Sequence, residues 1–321
     1  MSQPVIRMGV AGAGVFGRNH LRVIAASPRA QLAAVYDPDL ERARAAAAEF
    51  GGQACASLGE LAARCDAAVV ASPTTTHAEV ACRLLEAGLD VLVEKPMAAT
   101  EEEARRMIDA ARRHGRILQV GHLERFNPAV ESAFRLLRLP LFFEVHRLSV
   151  FSPRSLDVDV VADLMIHDLD LVLAMTGEEP SEVRAAGIAV LSPRPDIANV
   201  RLEFPGGCIA NLTASRVSTE RVRKLRFFQP RQYVSVDYSK QECLSIRVTE
   251  DRQVRFEPQP VAKSEPLARQ LDSFLGCIQT RQPPDVDGEA GARALSLALR
   301  IAGRIAEHGK LVAARLRSAS I

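Results

Sequence analysis

The sequence predicts an α/β protein with two domains, and three observations support this fold class. Its 321 residues are enough for two domains of ordinary size. Up to residue 121, short apolar strands alternate with helical patterns, which is typical of a doubly wound parallel sheet (residues 1–121). From about residue 182 to 256, strands follow one another with short turns, which predicts a large, open, mostly antiparallel sheet in an α+β domain (residues 122–321). The last helix is expected to be able to pack back on the first domain.

The first strand and the loop after it carry the clearest motif. An apolar run over residues 5–10 meets Gly12, Gly14 and Gly17, with the spacing G-x-G-x-x-G, and a helical pattern begins near Phe16. In this context the first glycine permits a tight turn, the second lets a pyrophosphate approach, and the third permits close packing of helix on strand. The motif therefore predicts a Rossmann domain that binds a dinucleotide at a helix N-terminus.

Asp37 supplies the second part of this motif. It ends the second strand, about 20 residues after the glycines, where a carboxylate can accept both ribose hydroxyls of an adenosine. The same carboxylate would repel a 2′-phosphate, so NAD is favoured over NADP, although Arg42 and Arg44 on the next helix could soften this preference. The alternative is an ordinary glycine-rich turn in which Asp37 only caps the following helix.

Two more loops of the first domain follow strands, and ligands of such sheets bind beyond the carboxyl ends of the strands. One contains Ser72, Pro73, Thr74 and His77, which could hold the second ribose and the nicotinamide. The alternative for His77 is a helix-start residue without a ligand.

The other loop is Glu94-Lys95-Pro96, after an apolar strand. There, Lys95 could orient a substrate hydroxyl and stabilise developing negative charge. Its alternative is a surface salt bridge with Glu94.

One helix of the second domain, predicted over residues 160–175, combines burial with charge. Twelve of its sixteen residues are apolar, so we expect it to be largely buried. Asp163, His167 and Asp170 stand at i, i+4 and i+7 on one face, with Asp168 on a different side. Buried charge is costly unless it is paired or faces a wet cleft. The pattern predicts a catalytic histidine, with a purely structural Asp–His pair as the alternative.

Composition excludes several classes of protein. Lys plus Arg total 41 against 39 for Asp plus Glu, so the chain lacks the excess of basic residues that is typical of nucleic-acid-binding proteins. The six cysteines form no C-x-x-C pair, which indicates reduced thiols in a cytoplasmic protein. We expect no signal peptide, no membrane span and no metal site. A small basic cluster over residues 221–226 is either a solvated strand face or the wall of an anion site.

Together these motifs resemble the Gfo/Idh/MocA family of oxidoreductases (glucose–fructose oxidoreductase and inositol dehydrogenase among them). The resemblance rests most specifically on Glu94-Lys95-Pro96 and on Asp163-x-x-x-His167, and it covers nearly the whole chain. It implies that Lys95, Asp163 and His167 form a catalytic set, in which the histidine takes the hydroxyl proton while the cofactor takes the hydride. Met165 stands where the family commonly has glycine, which we expect to narrow the pocket.

Within the family, residues 121–128 and 163–170 are similar to the bacterial UDP-N-acetylglucosamine 3-dehydrogenases. The resulting prediction is an NAD-dependent dehydrogenase (EC 1.1.1.-) of a sugar or nucleotide sugar, best matched to C3 of UDP-N-acetylglucosamine. An NAD-dependent glycosidase of the same fold and a non-catalytic NAD-responsive binding protein are the alternatives. A diphosphate needs cations, for which Arg125, Arg147, Arg154 and the 221–226 cluster are candidates. The open face of the antiparallel sheet predicts a homodimer or homotetramer.

The predicted site residues fall into two groups with some overlap. The cofactor group comprises Gly12, Gly14, Val15, Phe16, Gly17, Asp37, Ser72, Pro73, Thr74, His77, Glu94 and Lys95. The substrate group comprises Lys95, Arg125, Arg154, Asp163, His167 and Asp170.

Overall fold

The chain divides into two compact units. The structure is a computed structural model that describes residues 4–151 and 159–318. The first unit comprises the chain up to Phe126 together with Ser264–Ala292, and the second comprises Asn127–Lys263 with the chain from Arg293 onward. The predicted division was contiguous at residue 121. The structure differs from it because residues 264–292 pack with the first unit through contacts too distant in sequence to be recognised.

The sheet of the first unit has six parallel strands in the order β3-β2-β1-β4-β5-β6. This order confirms the predicted doubly wound sheet. Every residue of β4 is buried, as expected for a strand covered on both faces. The strands are β1 (Ile6–Ala11), β2 (Ala30–Tyr36), β3 (Gln53–Cys55), β4 (Ala67–Val70), β5 (Asp90–Glu94) and β6 (Leu118–Gly121).

Helices connect these strands, and their ends follow the local sequence. Ser57 and Thr100 each accept a hydrogen bond from the backbone N–H three residues on, and these caps begin the helices at Leu58 and Glu101. Gly51 ends the helix before it with a positive φ of 93°. The helices are α1 (Val15–Ala26), α2 (Leu40–Phe50), α3 (Leu58–Ala62), α4 (Thr74–Glu86), α5 (Glu101–His114), a short 3₁₀ helix (Leu123–Phe126) and, near the end of the chain, α8 (Pro266–Thr280).

The sheet of the second unit has eight strands in the order β14-β13-β12-β11-β7-β10-β9-β8. All neighbours are antiparallel except β7 and β10, which are parallel, so the mostly antiparallel sheet is confirmed. The strands are β7 (Phe142–Val150), β8 (Glu182–Ile188), β9 (Ile197–Glu203), β10 (Ile209–Ser218), β11 (Val222–Gln229), β12 (Gln232–Asp237), β13 (Glu242–Val248) and β14 (Val254–Pro258).

Three helices cover one face of this sheet and build the core of the second unit. They are α6 (Pro128–Leu136), α7 (Ile166–Thr176) and the later part of α9 (Gly288–Ser318). Before α7, residues Val161–Met165 form a π-helical turn, so the helix predicted over 160–175 is not uniform. Nowhere in residues 4–151 and 159–318 does a helix combine the length and apolarity needed to cross a bilayer.

Candidate active site

The glycine loop has the geometry that the motif predicts. Gly12 has a φ of +106°, and a Cβ there would lie 2.6 Å from the backbone of Ala71. A Cβ on Gly17 would lie 1.8 Å from the carbonyl oxygen of Gly12, so only glycine permits this approach of helix to loop. A Cβ on Gly14 would meet nothing within 4 Å, and the first turn of α1 contains no acidic side chain. The positive end of α1 therefore faces open space that suits a phosphate.

Asp37 ties this loop to the end of β2. Its Oδ2 accepts a hydrogen bond from the backbone N–H of Ala13 at 2.9 Å, and its Oδ1 accepts one from Asp39 at 3.0 Å. An ionised carboxylate has about four acceptor positions, so acceptors remain for ribose hydroxyls. Arg42 Nη1 lies 3.4 Å from Oδ1, whereas Arg44 is paired with Glu41. Of the two arginines in the prediction, Arg42 is the one beside Asp37.

A cavity of about 710 Å³ in the first unit joins the loop to Asp37. Several of the predicted cofactor residues line it, namely Gly12, Gly14, Val15, Phe16, Asp37, Ser72 and Pro73. Gly17, Thr74, His77, Glu94 and Lys95 are not among the lining residues. The size and the polar ends of this cavity fit the adenosine and diphosphate part of a dinucleotide.

His77 is a buried residue and does not line the cavity. Its side chain is 1% exposed, with Nδ1 2.9 Å from the carbonyl oxygen of Pro96 and Nε2 2.8 Å from that of Ser72. Burial lowers the pKa of His77, although both carbonyls favour its charged form. Because a carbonyl only accepts, the neutral ring makes one of these bonds and the protonated ring makes both.

Lys95 follows directly after β5 and is partly exposed. Its neighbour Glu94 is 6% exposed, with Oε1 2.7 Å from His20 Nε2 and Oε2 accepting the backbone N–H of Lys95 at 3.2 Å. Burial of Glu94 argues against the alternative of a surface salt bridge between Glu94 and Lys95. The backbone at Lys95 is instead held from inside the domain.

In the second unit, the charged residues of the π-helical turn and of α7 differ in exposure. Asp163 and His167 are partly exposed, whereas Asp168 and Asp170 are 1% and 2% exposed. Of the three residues predicted to share one face, Asp163 and His167 are therefore partly exposed and Asp170 is buried. Met165 packs in the apolar core of the unit, and its expected effect on the pocket remains a prediction.

Asp159 anchors the start of this turn. Its Oδ1 accepts hydrogen bonds from the backbone N–H groups of Val161 and Ala162 at 2.8 and 2.9 Å. Val160 in turn donates to the carbonyl oxygen of Pro195, in the loop before β9. These bonds satisfy N–H groups that a helix start leaves without intrahelical partners, and they fix the backbone that carries Asp163.

Arg147 has a structural partner. Its Nε and Nη2 donate to the two oxygens of Asp168 at 2.6 and 2.9 Å, and both side chains are buried. Tyr238 donates its hydroxyl to Asp168 at 3.2 Å, and the Arg147 guanidinium lies 5.2 Å from the centre of the Tyr238 ring. This contact joins β7 to α7 at the residue next to His167.

The other predicted cationic residues are dispersed. Arg125 is partly buried on the 3₁₀ helix of the first unit, and Arg154 lies outside the described residues. In the basic cluster, Arg226 pairs with Glu144 at 3.0 Å and Lys224 lies 4.0 Å from Asp237. Arg223 is opposite Arg147 in the β11–β7 register. Along β11, side chains alternate between the two faces of the sheet. The basic side chains of the cluster are therefore divided between the two faces of the sheet and do not form a single anion-binding surface.

Comparison with known proteins identifies the family. Residues 6–122 match the oxidoreductase family with an NAD-binding Rossmann fold, and residues 130–234 match the GFO/IDH/MocA C-terminal domain. The chain belongs to the Gfo/Idh/MocA family. It is thus an NAD-binding oxidoreductase by family, as its glycine loop and Asp37 indicate.

Two members of the family cover almost the whole chain. The UDP-N-acetylglucosamine 3-dehydrogenase of Acidithiobacillus ferrooxidans is 40% identical over 303 residues, which are 92% of this chain and 96% of that protein. Its crystal structure superposes with a TM-score of 0.91 at 39% identity, covering 95% and 99% of the two chains. Inositol 2-dehydrogenase of Rhizobium meliloti is 26% identical over an alignment of 322 positions that covers 94% of this chain and 97% of that protein. A levoglucosan dehydrogenase shares the fold, with a TM-score of 0.87 at 19% identity over 95% and 98%.

Some residues that line the cavity of the first unit were not predicted from the sequence. Thr76, Val80 and Arg83 line the cavity from one side of α4, and Leu58 lines it at the start of α3. The spacing of the α4 residues by three and four positions could have revealed them once the helix start at Thr74 was recognised. His20, the partner of Glu94, carries no motif by which it could be found.

Proposed function

We propose that this protein is an NAD-dependent dehydrogenase that oxidises the 3-hydroxyl of UDP-N-acetylglucosamine. The observation that supports this substrate is the 40% identity to the UDP-N-acetylglucosamine 3-dehydrogenase of Acidithiobacillus ferrooxidans over 92% of this chain. The cavity with its glycine loop and Asp37 supports the cofactor. The nicotinamide supplies the hydride acceptor when it is bound.

In this proposal His167 is the general base for the sugar hydroxyl. Oxidation of an alcohol removes a proton as the hydride leaves, and a histidine can accept it near neutral pH. Asp163 orients the imidazole and stabilises its protonated form. Lys95 orients the same hydroxyl and stabilises negative charge on its oxygen. All three residues are partly exposed, which supports these roles.

Recognition of a nucleotide diphosphate requires cations, and Arg125 is our proposed ligand among the described arginines. It is partly buried in the loop region after β6. Arg147 is a weaker choice than the sequence indicated, because Asp168 already takes its guanidinium in a bidentate pair. Arg154 remains a prediction, as does substrate binding by Asp170.

NAD is the cofactor we favour over NADP. Asp37 is 5% exposed and borders the cavity where an adenosine ribose fits, so a 2′-phosphate would meet a carboxylate. Arg42 lines the same cavity and is 3.4 Å from Asp37. It neutralises part of that charge, so we expect a preference for NAD and not absolute exclusion of NADP.

We also propose that the protein is a homodimer or homotetramer that associates through the helix-free face of the second sheet. Phe142, Phe228, Tyr233, Ile246 and Phe256 are register partners across five strands of that face. Phe256 is 67% exposed, and an apolar row of this kind commonly becomes a subunit contact. Light scattering should show an oligomer for the wild type and smaller particles for Phe256→Asp. A wild-type monomer at micromolar concentration would refute the proposal.

Turnover of NAD with a panel of substrates tests the function. The panel contains UDP-N-acetylglucosamine, UDP-glucose, free N-acetylglucosamine, myo-inositol and aryl glycosides. We expect UDP-N-acetylglucosamine to give the highest kcat/KM, and we expect a lower kcat and a higher KM in Lys95→Ala. A higher kcat/KM for inositol or for an unphosphorylated sugar would reject the nucleotide-sugar substrate and leave the dehydrogenase assignment standing.

A further inference from the structure

We propose that two buried histidines, His20 and His77, are positioning residues that fix Lys95 by holding the residues on either side of it. The inference rests on the proposed function in one respect, that Lys95 acts on the substrate. The two histidines come from different helices, α1 and α4; His20 reaches the end of β5 at Glu94, and His77 reaches the loop after it at Pro96.

The first brace acts on Glu94, immediately before Lys95. His20 is 1% exposed and its Nε2 lies 2.7 Å from Glu94 Oε1, while Glu94 Oε2 accepts the Lys95 backbone N–H at 3.2 Å. A Cβ on Gly121 would lie 2.9 Å from both carboxylate oxygens. The carboxylate is thus packed against Gly121 of β6, and it connects His20 to the Lys95 backbone through its two oxygens.

The second brace acts on Pro96, immediately after Lys95. His77 Nδ1 contacts the Pro96 carbonyl oxygen at 2.9 Å, and Nε2 contacts the Ser72 carbonyl oxygen at 2.8 Å. One imidazole therefore joins the loop after β4 to the loop after β5. Because both ring nitrogens face backbone carbonyls and not side chains, His77 acts on main-chain position directly, with one hydrogen bond from the neutral ring and two from the protonated ring.

The origin of the two histidines gives the arrangement a functional meaning. His20 belongs to the helix that starts at the glycine loop, and His77 belongs to the helix that starts after Ser72 and Pro73. Both loops line the proposed cofactor cavity. Displacement of either loop is therefore transmitted to the backbone beside Lys95. We infer that cofactor binding and the placement of Lys95 are coupled through these two imidazoles.

Purely structural histidines would contribute to folding stability without any specific effect on Lys95. The reactivity of the Lys95 amine distinguishes a purely structural role from a role in positioning Lys95, and its measurement does not depend on enzyme turnover. Trace acylation with acetic anhydride, followed by mass spectrometry, measures Lys95 relative to four other lysines as internal references, Lys224, Lys240, Lys263 and Lys310. The variants are His77→Gln and His20→Gln, with His114→Gln on the exposed side of α5 as the matched control.

We expect the relative rate of Lys95 to change by roughly threefold or more in His77→Gln and in His20→Gln, since movement of the backbone on either side of Lys95 alters the access of the reagent to its amine. The reference lysines and the His114→Gln control should not change. An unchanged Lys95 rate in both folded variants would overturn the proposal. If His77→Gln fails to fold, His20→Gln alone decides it.

A kinetic cycle then tests whether the histidines act through Lys95. We expect His77→Gln to lower kcat by about tenfold in the wild-type background but less than about twofold in Lys95→Ala, because residues that act through one another are not additive. Equal losses in both backgrounds would overturn the proposal. Wild-type kcat in Lys95→Ala would instead refute the proposed role of Lys95, and the acylation rates would still decide whether the two histidines hold it.

Discussion

Arg147 on β7 and Asp168 on α7 form a bidentate ion pair, with side chains that are 3% and 2% exposed. Arg147 Nη2 donates to Asp168 Oδ1 at 2.9 Å, and the Tyr238 hydroxyl donates to the same carboxylate. His167 precedes Asp168 directly in the chain. The pair therefore fixes how the proposed catalytic helix lies on the sheet, a role that its sequence position alone did not reveal.

Removing one partner of this pair should be strongly destabilising. Arg147→Ala leaves a buried carboxylate without its guanidinium, and we expect the free energy of unfolding to fall by about 3–5 kcal/mol. Urea denaturation followed by circular dichroism measures it. Arg44→Ala, which removes an exposed pair with Glu41, is the matched control and should cost less than about 1 kcal/mol. Equal losses in the two variants would contradict the buried-pair account.

Asp37 should determine the cofactor preference. Asp37→Ala removes the charge that repels a 2′-phosphate, so calorimetry should show a smaller ratio of NAD to NADP affinity than in the wild type. The double variant Asp37→Ala with Arg42→Ala should bind NADP more weakly than Asp37→Ala alone, because Arg42 then provides the phosphate contact. A wild-type preference for NADP would reject the role assigned to Asp37.

His77 should make stability depend on pH. Its pKa is lowered by burial below the ordinary value of 6.5, so the unfolded chain binds this proton more readily than the folded protein. Stability should therefore fall as pH decreases from about 6.5 through the lowered pKa of His77. Compared with the wild type, His77→Gln should lose less stability over that interval, as measured by urea denaturation between about pH 5 and 8. A parallel pH dependence in the two proteins would contradict this prediction.

The cysteines should divide into two reactivity groups. Burial raises the pKa of Cys65 to about 12 and those of Cys208 and Cys243 to about 11, and Cys55 is also buried with a raised pKa. Cys82 and Cys277 are the partly exposed ones. A thiol reagent at neutral pH should label these two first, because thiolate fraction and access set the rate. Mass spectrometry that finds Cys65 or Cys243 labelled first in the native protein would contradict the structure.

The parts of this structure that the sequence predicted are those specified by local pattern. The glycine spacing and Asp37 at the end of a strand are short-range signals, and both appear as expected. An antiparallel sheet is visible through the alternation of Val200 and Leu202 with polar neighbours.

The parts that were missed depend on distant contacts. The placement of α8 in the first unit relies on pairs such as Arg29 with Gln279, 250 residues apart. The π-helical turn before α7 has no counterpart in the periodicity of an apolar helix. Asp168 was placed away from the expected catalytic face, and nothing in its surroundings in the sequence points to Arg147. Long-range partners of charged side chains become known only with the fold.

The central claim is that His167 is the acid/base for oxidation of UDP-N-acetylglucosamine, and the most direct measurement is NADH formation by the wild type and His167→Ala with that substrate. We expect wild-type turnover and a fall in kcat of about 10²–10⁴-fold in the variant, with NAD affinity by calorimetry little changed. Full activity in a His167→Ala protein whose circular dichroism matches the wild type would contradict the account.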